Sequence, residues 1–262
     1  MDNLHPYQGA RLAKGISGST STRPFPLSGG NVTHQKKTSD DKDKFIGEIK
    51  WYLKLPADVE YVRPRIFDYS TSYINPYVSM EYYAYHTVHE LFLYGDLTLQ
   101  QWIDIFNRIR FVCDDFKRYT VQDDNIRPAL EEMYLTKTLQ RFEKMKKDER
   151  FITFFESPIV VNGVRYLSLN EIIIALEKAI PEMLYDVDTF NIIHGDLCFA
   201  NIMVDSNFSF IKVIDPRGKF GTYDIYGDFR YELAKLFHSV DGKYDFIIKD
   251  LFDLDYNSET AC

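Results

Sequence analysis

The chain has 262 residues, 45% hydrophobic and 16% aromatic, enough to bury a sizeable interior in two lobes. No apolar run reaches the roughly 18 residues of a membrane span, the opening MDNLHPYQGARLAKG lacks the apolar core of a signal peptide, and the scattered Cys113, Cys198 and Cys262 argue against a disulfide framework or a zinc site. The net charge of −8 divides into nine Lys+Arg against five Asp+Glu over residues 1–54 and 22 against 34 over the rest, an acidic body that speaks against nucleic-acid binding.

A basic head on an acidic body suits a polyanion held at the joint; two solvated surfaces explain it equally well. No membrane insertion is expected, the cysteine usage fits a reducing cytoplasm, and the oligomeric state is not legible.

Residues 1–44 are polar and rich in Gly, Ser, Thr and Lys. They read as two strands joined by a turn at Gly29-Gly30, or as a flexible tail. From Asp41 to Leu55 the pattern is helical, with Phe45, Ile49, Tyr52 and Leu53 on one face, and Pro56 stops it. YVRPRIFDYS and PYVSMEYYAY read as strands, being rich in β-branched and aromatic residues. The rest is mostly helical. Thr98 with Gln101 forms a capping box ahead of Trp102, Ile105, Phe106, Ile109, Val112 and Phe116 at helix period. Residues 129–147 read as a second amphipathic helix. Ser168 with Glu171 caps a third, carrying Ile172, Ile173, Leu176 and Ile180, and Asp228 opens a fourth that Gly242 ends.

Between the third and fourth helices, NIMVD and FSFIKVID flank Ser206-Asn207 and predict a hairpin. Asn201 starts its first strand and Asp215 ends its second, so the hairpin brings both to one end. Asp196 lies on the loop before it. Asn201 and Asp215 offer hard oxygen ligands suited to Mg²⁺, which keeps several waters and takes other ligands from phosphates. Asp196 can reach a hydroxyl as general base or orienting group. Together the three supply what metal-assisted phosphoryl transfer needs. Singly, each is also an ordinary turn or cap residue.

HGDLCFANIMVD followed by VIDPRG resembles the catalytic loop and metal-binding aspartate of the protein-kinase-like fold, in the variant used by the aminoglycoside phosphotransferase and choline kinase group. GDFRYELAKL is similar to that group's following helix. The wording IDPRG…GD…YELAKLFHS…GKYD is closest to phosphotransferases linked to bacterial capsule and surface-sugar biosynthesis. The resemblance implies an α+β, two-lobed fold, with a small β-rich nucleotide-binding lobe over residues 1–84 and a larger, mainly helical catalytic and acceptor-binding lobe over 85–262. Members of the group usually continue with more helices beyond the stretch that here ends in NSETAC.

The resemblance also implies an ATP (or other NTP) and Mg²⁺ site. Gly15, Ser17, Gly18 and Ser19 would cover the phosphates; a flexible loop is the alternative. Lys36 or Lys37 would reach the α/β-phosphates, with Lys37 matching the lysine of the group's RKTS. Glu48 would pair with it, unless it only joins Lys44 or Lys50 on the helix surface. Backbone groups of Glu81, Tyr82 and Tyr83 would read the adenine edge. Asp196 would act on the acceptor hydroxyl, and Asn201 and Asp215 would hold the metal. His194 would shape the loop, and Asp228 would support it from its helix. Arg217 would hold an anionic group of the acceptor or a phosphate, or else pair with a surface carboxylate. The expected activity is γ-phosphoryl transfer to a hydroxyl of a small molecule, a sugar or sugar-like alcohol before a choline-like amino alcohol. A non-catalytic nucleotide-binding scaffold is the rival reading; a protein kinase is disfavoured, because DPRG runs into Gly227-Asp228 with no room for a long activation segment.

Overall fold

The computed structural model describes residues 20–26 and 33–255. The polar head forms strands: β1 (Thr20–Pro26) runs antiparallel to β2 (Thr33–Ser39), and Gly29-Gly30 lies outside the described residues. Helix α1 (Lys42–Lys54) follows, capped by the Asp41 carboxylate on the Lys44 amide. Next come β3 (Ile66–Ser70) and β4 (Tyr77–Glu81), which complete a four-stranded antiparallel sheet in the order β1-β2-β4-β3. The two-residue period of β2 turns Gln35 and Lys37 inward and Lys36 outward, where its ammonium sits 3.8 Å from the centre of the Tyr77 ring.

Helix α1 buries Phe45, Glu48, Ile49, Trp51 and Tyr52. Leu53, expected on that face, is 37% exposed, and Trp51 takes its place in the core. The helical face runs through positions 45, 48, 49 and 52; residues 51 and 53 lie on its opposite flanks, and the flank that carries Trp51 is the one the core covers.

β5 (His86–Thr87) leads into α2 (Val88–Tyr94) and α3 (Leu99–Lys117), both opened by capping boxes, Thr87 with Glu90 and Thr98 with Gln101. After β6 (Thr120–Val121) the chain is helical from Ile126 to Met145: α4 (Ile126–Leu130), a π-helical segment Glu131–Thr136, then α5 (Lys137–Met145). The single helix expected over 129–147 is thus broken by i→i+5 bonding, which rotates the faces of α5, and α5 buries none of its side chains. Next come α6 (Ile152–Glu156), the hairpin of β7 (Ile159–Val161) and β8 (Val164–Tyr166), and α7 (Leu169–Leu184), which carries the expected Ser168–Glu171 box but fully buries only Ile180. Then follow β9 (Phe190–Ile192), β10 (Ile202–Val204), β11 (Ile211–Val213), β12 (Tyr226–Gly227), α8 (Phe229–Val240) and α9 (Tyr244–Ile247). No helix among the described residues is long and apolar enough to cross a membrane.

The main core joins α1 to the helical part of the chain. Phe45, Ile49, Trp51 and Tyr52 pack with Ile105, Ile109, Val112 and Phe116 of α3 and with Ile202 and Val213 of the β10-β11 ribbon. Each such large apolar side chain contributes about 1.5–3 kcal/mol on full burial. The Trp51 indole N–H donates to the Ile193 carbonyl at 2.6 Å, which ties α1 to the loop that follows β9.

Candidate active site

The β10-β11 ribbon pairs Ile202 with Val213, and the Ile214 amide donates to the Asn201 carbonyl at 3.0 Å. Asn201 and Asp215 therefore stand at the same end of the ribbon. The other end is wider than the two-residue turn expected at Ser206-Asn207. It spans residues 205–210, because the Asp205 carboxylate accepts from the amides of Asn207, Ser209 and Phe210. At the working end Asp215 takes a left-handed backbone conformation (φ 58°), and its amide donates to the Tyr52 hydroxyl at 3.0 Å. The Asn201 side-chain amide donates to the Asp196 carbonyl at 2.8 Å. That bond fixes the side chain through its nitrogen and leaves its oxygen as the available donor atom. The three residues singled out from the sequence converge.

Lys37 and Glu48 join them. The Lys37 ammonium, on the inward face of β2, contacts both Glu48 carboxylate oxygens (2.8 and 2.9 Å) and Asp215 Oδ1 (2.6 Å). Both Lys37 and Glu48 are buried, so Glu48 is not a surface partner of Lys44 or Lys50. Burial alone would lower the lysine; attraction to Glu48 and then Asp215 reverses this and holds it above its ordinary value. Burial likewise lifts Glu48, and the Lys37 charge pulls the other way.

The loop between β9 and β10 is fixed from several sides. His194 is fully buried, and its Nε2–H donates to the Ile214 carbonyl at 2.9 Å, a bond that makes Nε2 the protonated nitrogen. Desolvation lowers its pKa to about 4, so the ring is neutral near pH 7. Gly195 has φ 77°, and a Cβ there would meet the Arg217 Cβ at 2.8 Å, which leaves the position to glycine. The Gly195 amide donates to Glu232 Oε1 at 2.6 Å. Asp228, expected to brace this loop, caps α8 instead: it accepts from the Arg230 amide and guanidinium and from the Tyr134 hydroxyl. The loop-bracing carboxylate is Glu232, one helical turn further on, because the first turn of α8 faces Tyr134 and only its second faces the loop.

Asp196 Oδ1 lies 2.7 Å from the Lys235 ammonium. Burial would raise this carboxyl, but Lys235, helped by His194 and Arg217, outweighs it and holds the group below the ordinary aspartate value. Among the described residues Arg217 pairs with no surface carboxylate; its Nη1 donates to the Tyr231 hydroxyl at 2.9 Å. Neither Glu232 nor Lys235 stood out in the sequence. The one available signal was their place in YELAKL, within the stretch that resembles the group's following helix. Among the described residues no group of three or more His, Cys, Asp or Glu side chains is arranged to hold a metal ion.

Gly15, Ser17, Gly18 and Ser19 lie outside the described residues. Glu81 ends β4, where its amide donates to the Arg65 carbonyl at 2.8 Å and is therefore engaged within the sheet region. Tyr82 and Tyr83 follow it, and the Tyr83 hydroxyl donates to the Glu81 carboxylate at 2.7 Å. Glu81 and Tyr83 line a cleft of about 460 Å³ with Arg65 and Lys212.

No protein-family model and no curated protein matches the sequence. Solved structures match by shape. One is a thermostable mutant of aminoglycoside phosphotransferase APH(4)-Ia with an aspartate-to-alanine substitution, in a ternary complex with ADP and hygromycin B; it shares 12% identity at a TM-score of 0.50, covering 91% of this chain and 77% of that one. The same enzyme with an asparagine-to-alanine substitution, in complex with AMP-PNP and hygromycin B, shares 13% identity with the same score and coverage. The fold is that of an aminoglycoside phosphotransferase. It combines helices with small antiparallel sheets in the α+β, kinase-like arrangement.

Proposed function

We propose that the chain is an ATP-dependent small-molecule kinase, transferring the γ-phosphoryl of a nucleotide to a hydroxyl of a sugar or sugar-like alcohol. The observation that carries this reading is the convergence of Asp196, Asn201, Asp215, Lys37 and Glu48, from four separate segments, on one place. The neighbours' complexes with ADP, AMP-PNP and hygromycin B support it. The lobes divide at residues 84 and 85: residues 1–84 hold the nucleotide, with Tyr82 and Tyr83 at the adenine edge, and 85–262 hold the acceptor. The resemblance of residues 214–245 to capsule-linked phosphotransferases favours a surface-glycan precursor.

In this reading Lys37, steadied by Glu48, bonds the α/β-phosphates. Asn201 and Asp215 fit Mg²⁺: two hard oxygens, one neutral and one anionic, leave the remaining positions to phosphates and water. Bound there, Mg²⁺ neutralises charge on the phosphate oxygens. Asp196, ionised at neutral pH and held by Lys235, accepts a hydrogen bond from the acceptor hydroxyl and so aims its oxygen at the γ-phosphorus. The new O–P bond forms as the bond from the γ-phosphorus to the β–γ bridging oxygen breaks, and the hydroxyl proton passes to Asp196. With its basicity reduced, Asp196 works mainly by orientation, and the proton moves late.

ADP release from ATP and Mg²⁺, scored over a panel of sugars, polyols and amino alcohols, tests the reading. Acceptor-dependent release should appear and fall by about 10²–10⁴-fold in Asp196→Asn. Nucleotide binding with no turnover on any acceptor would make the chain a scaffold instead.

A further inference from the structure

Beside Asp196 stand two cations, Lys235 and Arg217. The Arg217 amide donates to the His194 carbonyl at 2.9 Å, and its Cβ packs over Gly195, which seats the side chain against the residue that precedes Asp196. Its guanidinium carbon lies 5.7 Å from the centre of the Tyr231 ring, besides the bond to that hydroxyl. Among the described residues no carboxylate lies within ion-pair distance of it, although it is half-buried. Lys235, one turn beyond Tyr231 on α8, holds Asp196. The other acids of this helix are committed: Asp228 to Arg230, and Glu232 to the Gly195 amide. Lys37 serves Glu48 and Asp215, whereas Arg217 and Lys235 flank the carboxylate that meets the acceptor.

One carboxylate, Asp196, thus faces two cations: it pairs with Lys235 and is attracted by Arg217 from beyond ion-pair distance. The Arg217 guanidinium, whose side-chain hydrogen-bond partner is a phenol, keeps a planar fork that matches a carboxylate or a phosphate. An amino sugar or choline-like acceptor would bring a third positive charge to the same place. We propose that the acceptor is an acid: a small hydroxylated molecule whose carboxylate or phosphate is gripped by Arg217 while its hydroxyl meets Asp196. The inference rests on the phosphotransferase reading of Asp196 and narrows its substrate class.

The test measures ADP release with D-glucuronate, glucose 6-phosphate, D-glucose and D-glucosamine as acceptors. At least one of the two acids should exceed D-glucose at least tenfold in kcat/KM, with D-glucosamine lowest, and which acid wins separates carboxylate from phosphate recognition. Arg217→Gln should raise the KM for that acid at least tenfold and the KM for ATP less than twofold, and Arg217→Lys should restore part of the loss. D-glucose or D-glucosamine matching the acids, or an Arg217→Gln effect that falls on ATP, overturns the proposal. If ATP binds but no acceptor turns over, the phosphotransferase reading has failed. Calorimetric titration of the two acids then decides this one: binding weakened at least tenfold by Arg217→Gln supports it, and no binding to the wild-type protein overturns it.

Discussion

At Glu232 a carboxyl group with no exposed surface accepts the Gly195 amide through one oxygen, while the other has no partner among the described residues. Desolvation raises its pKa to about 8. In the unfolded chain it titrates near the ordinary glutamate value, about 4.3. Between those values the folded state holds a proton that the unfolded state has released, so stability falls as pH rises through this window. Glu232→Gln keeps the accepting oxygen and removes the titration. Urea denaturation at pH 5, 7 and 9 should show the variant gaining on the wild-type protein toward alkaline pH, by on the order of a few kcal/mol. Parallel pH profiles would contradict the assignment. His194 works in the opposite sense: its pKa is depressed to about 4, so it costs stability as pH falls from about 6.5 toward that value.

The elements that deliver these residues differ in how well the sequence announces them. Asn201 and Asp215 were legible because a hairpin is local: strand composition and turn residues fix which ends meet. Lys37 was preferred to Lys36 only through the RKTS resemblance, because the two-residue period of a strand puts the two on opposite faces without saying which face is buried. The face of α8 was not legible, since the helix buries Glu232 and Ser239 while Leu233 is 52% exposed and Phe237 64% exposed, inverting the usual pattern. Nothing in local periodicity reports that a loop 37 residues upstream needs a carboxylate on its amide. The π-helical break at Glu131–Thr136 is equally silent, because it depends on what the helix packs against. Helix α1 reaches the site through a backbone contact: Gly218 has φ 61°, and a Cβ there would lie 2.1 Å from the carbonyl carbon and oxygen of Gly47, one residue before Glu48. Gly218→Ala should therefore destabilise by about 2–4 kcal/mol through strain and overlap. Calorimetry should show the melting temperature lowered by roughly 5–15 °C. An unchanged Tm would mean that α1 and this loop do not touch as described.

At the scale of the whole molecule, one core runs from α1 through α3 to the β10-β11 ribbon, and Trp51 bonds directly to the backbone beside His194. The residue that steadies Lys37 and the loop that carries Asp196 are thus parts of one packed unit, and the Lys37–Asp215 contact closes it across the site. The central claim is that Asn201 and Asp215 share one divalent cation, which a bound nucleotide completes. Calorimetric titration of AMP-PNP into the wild-type protein, Asn201→Ala and Asp215→Ala, each with and without Mg²⁺, tests this most directly. Mg²⁺ should tighten nucleotide binding to the wild-type protein at least tenfold, and either substitution should abolish that gain. Affinity that ignores Mg²⁺ in the wild-type protein, or a Mg²⁺ effect that survives both substitutions, would contradict it.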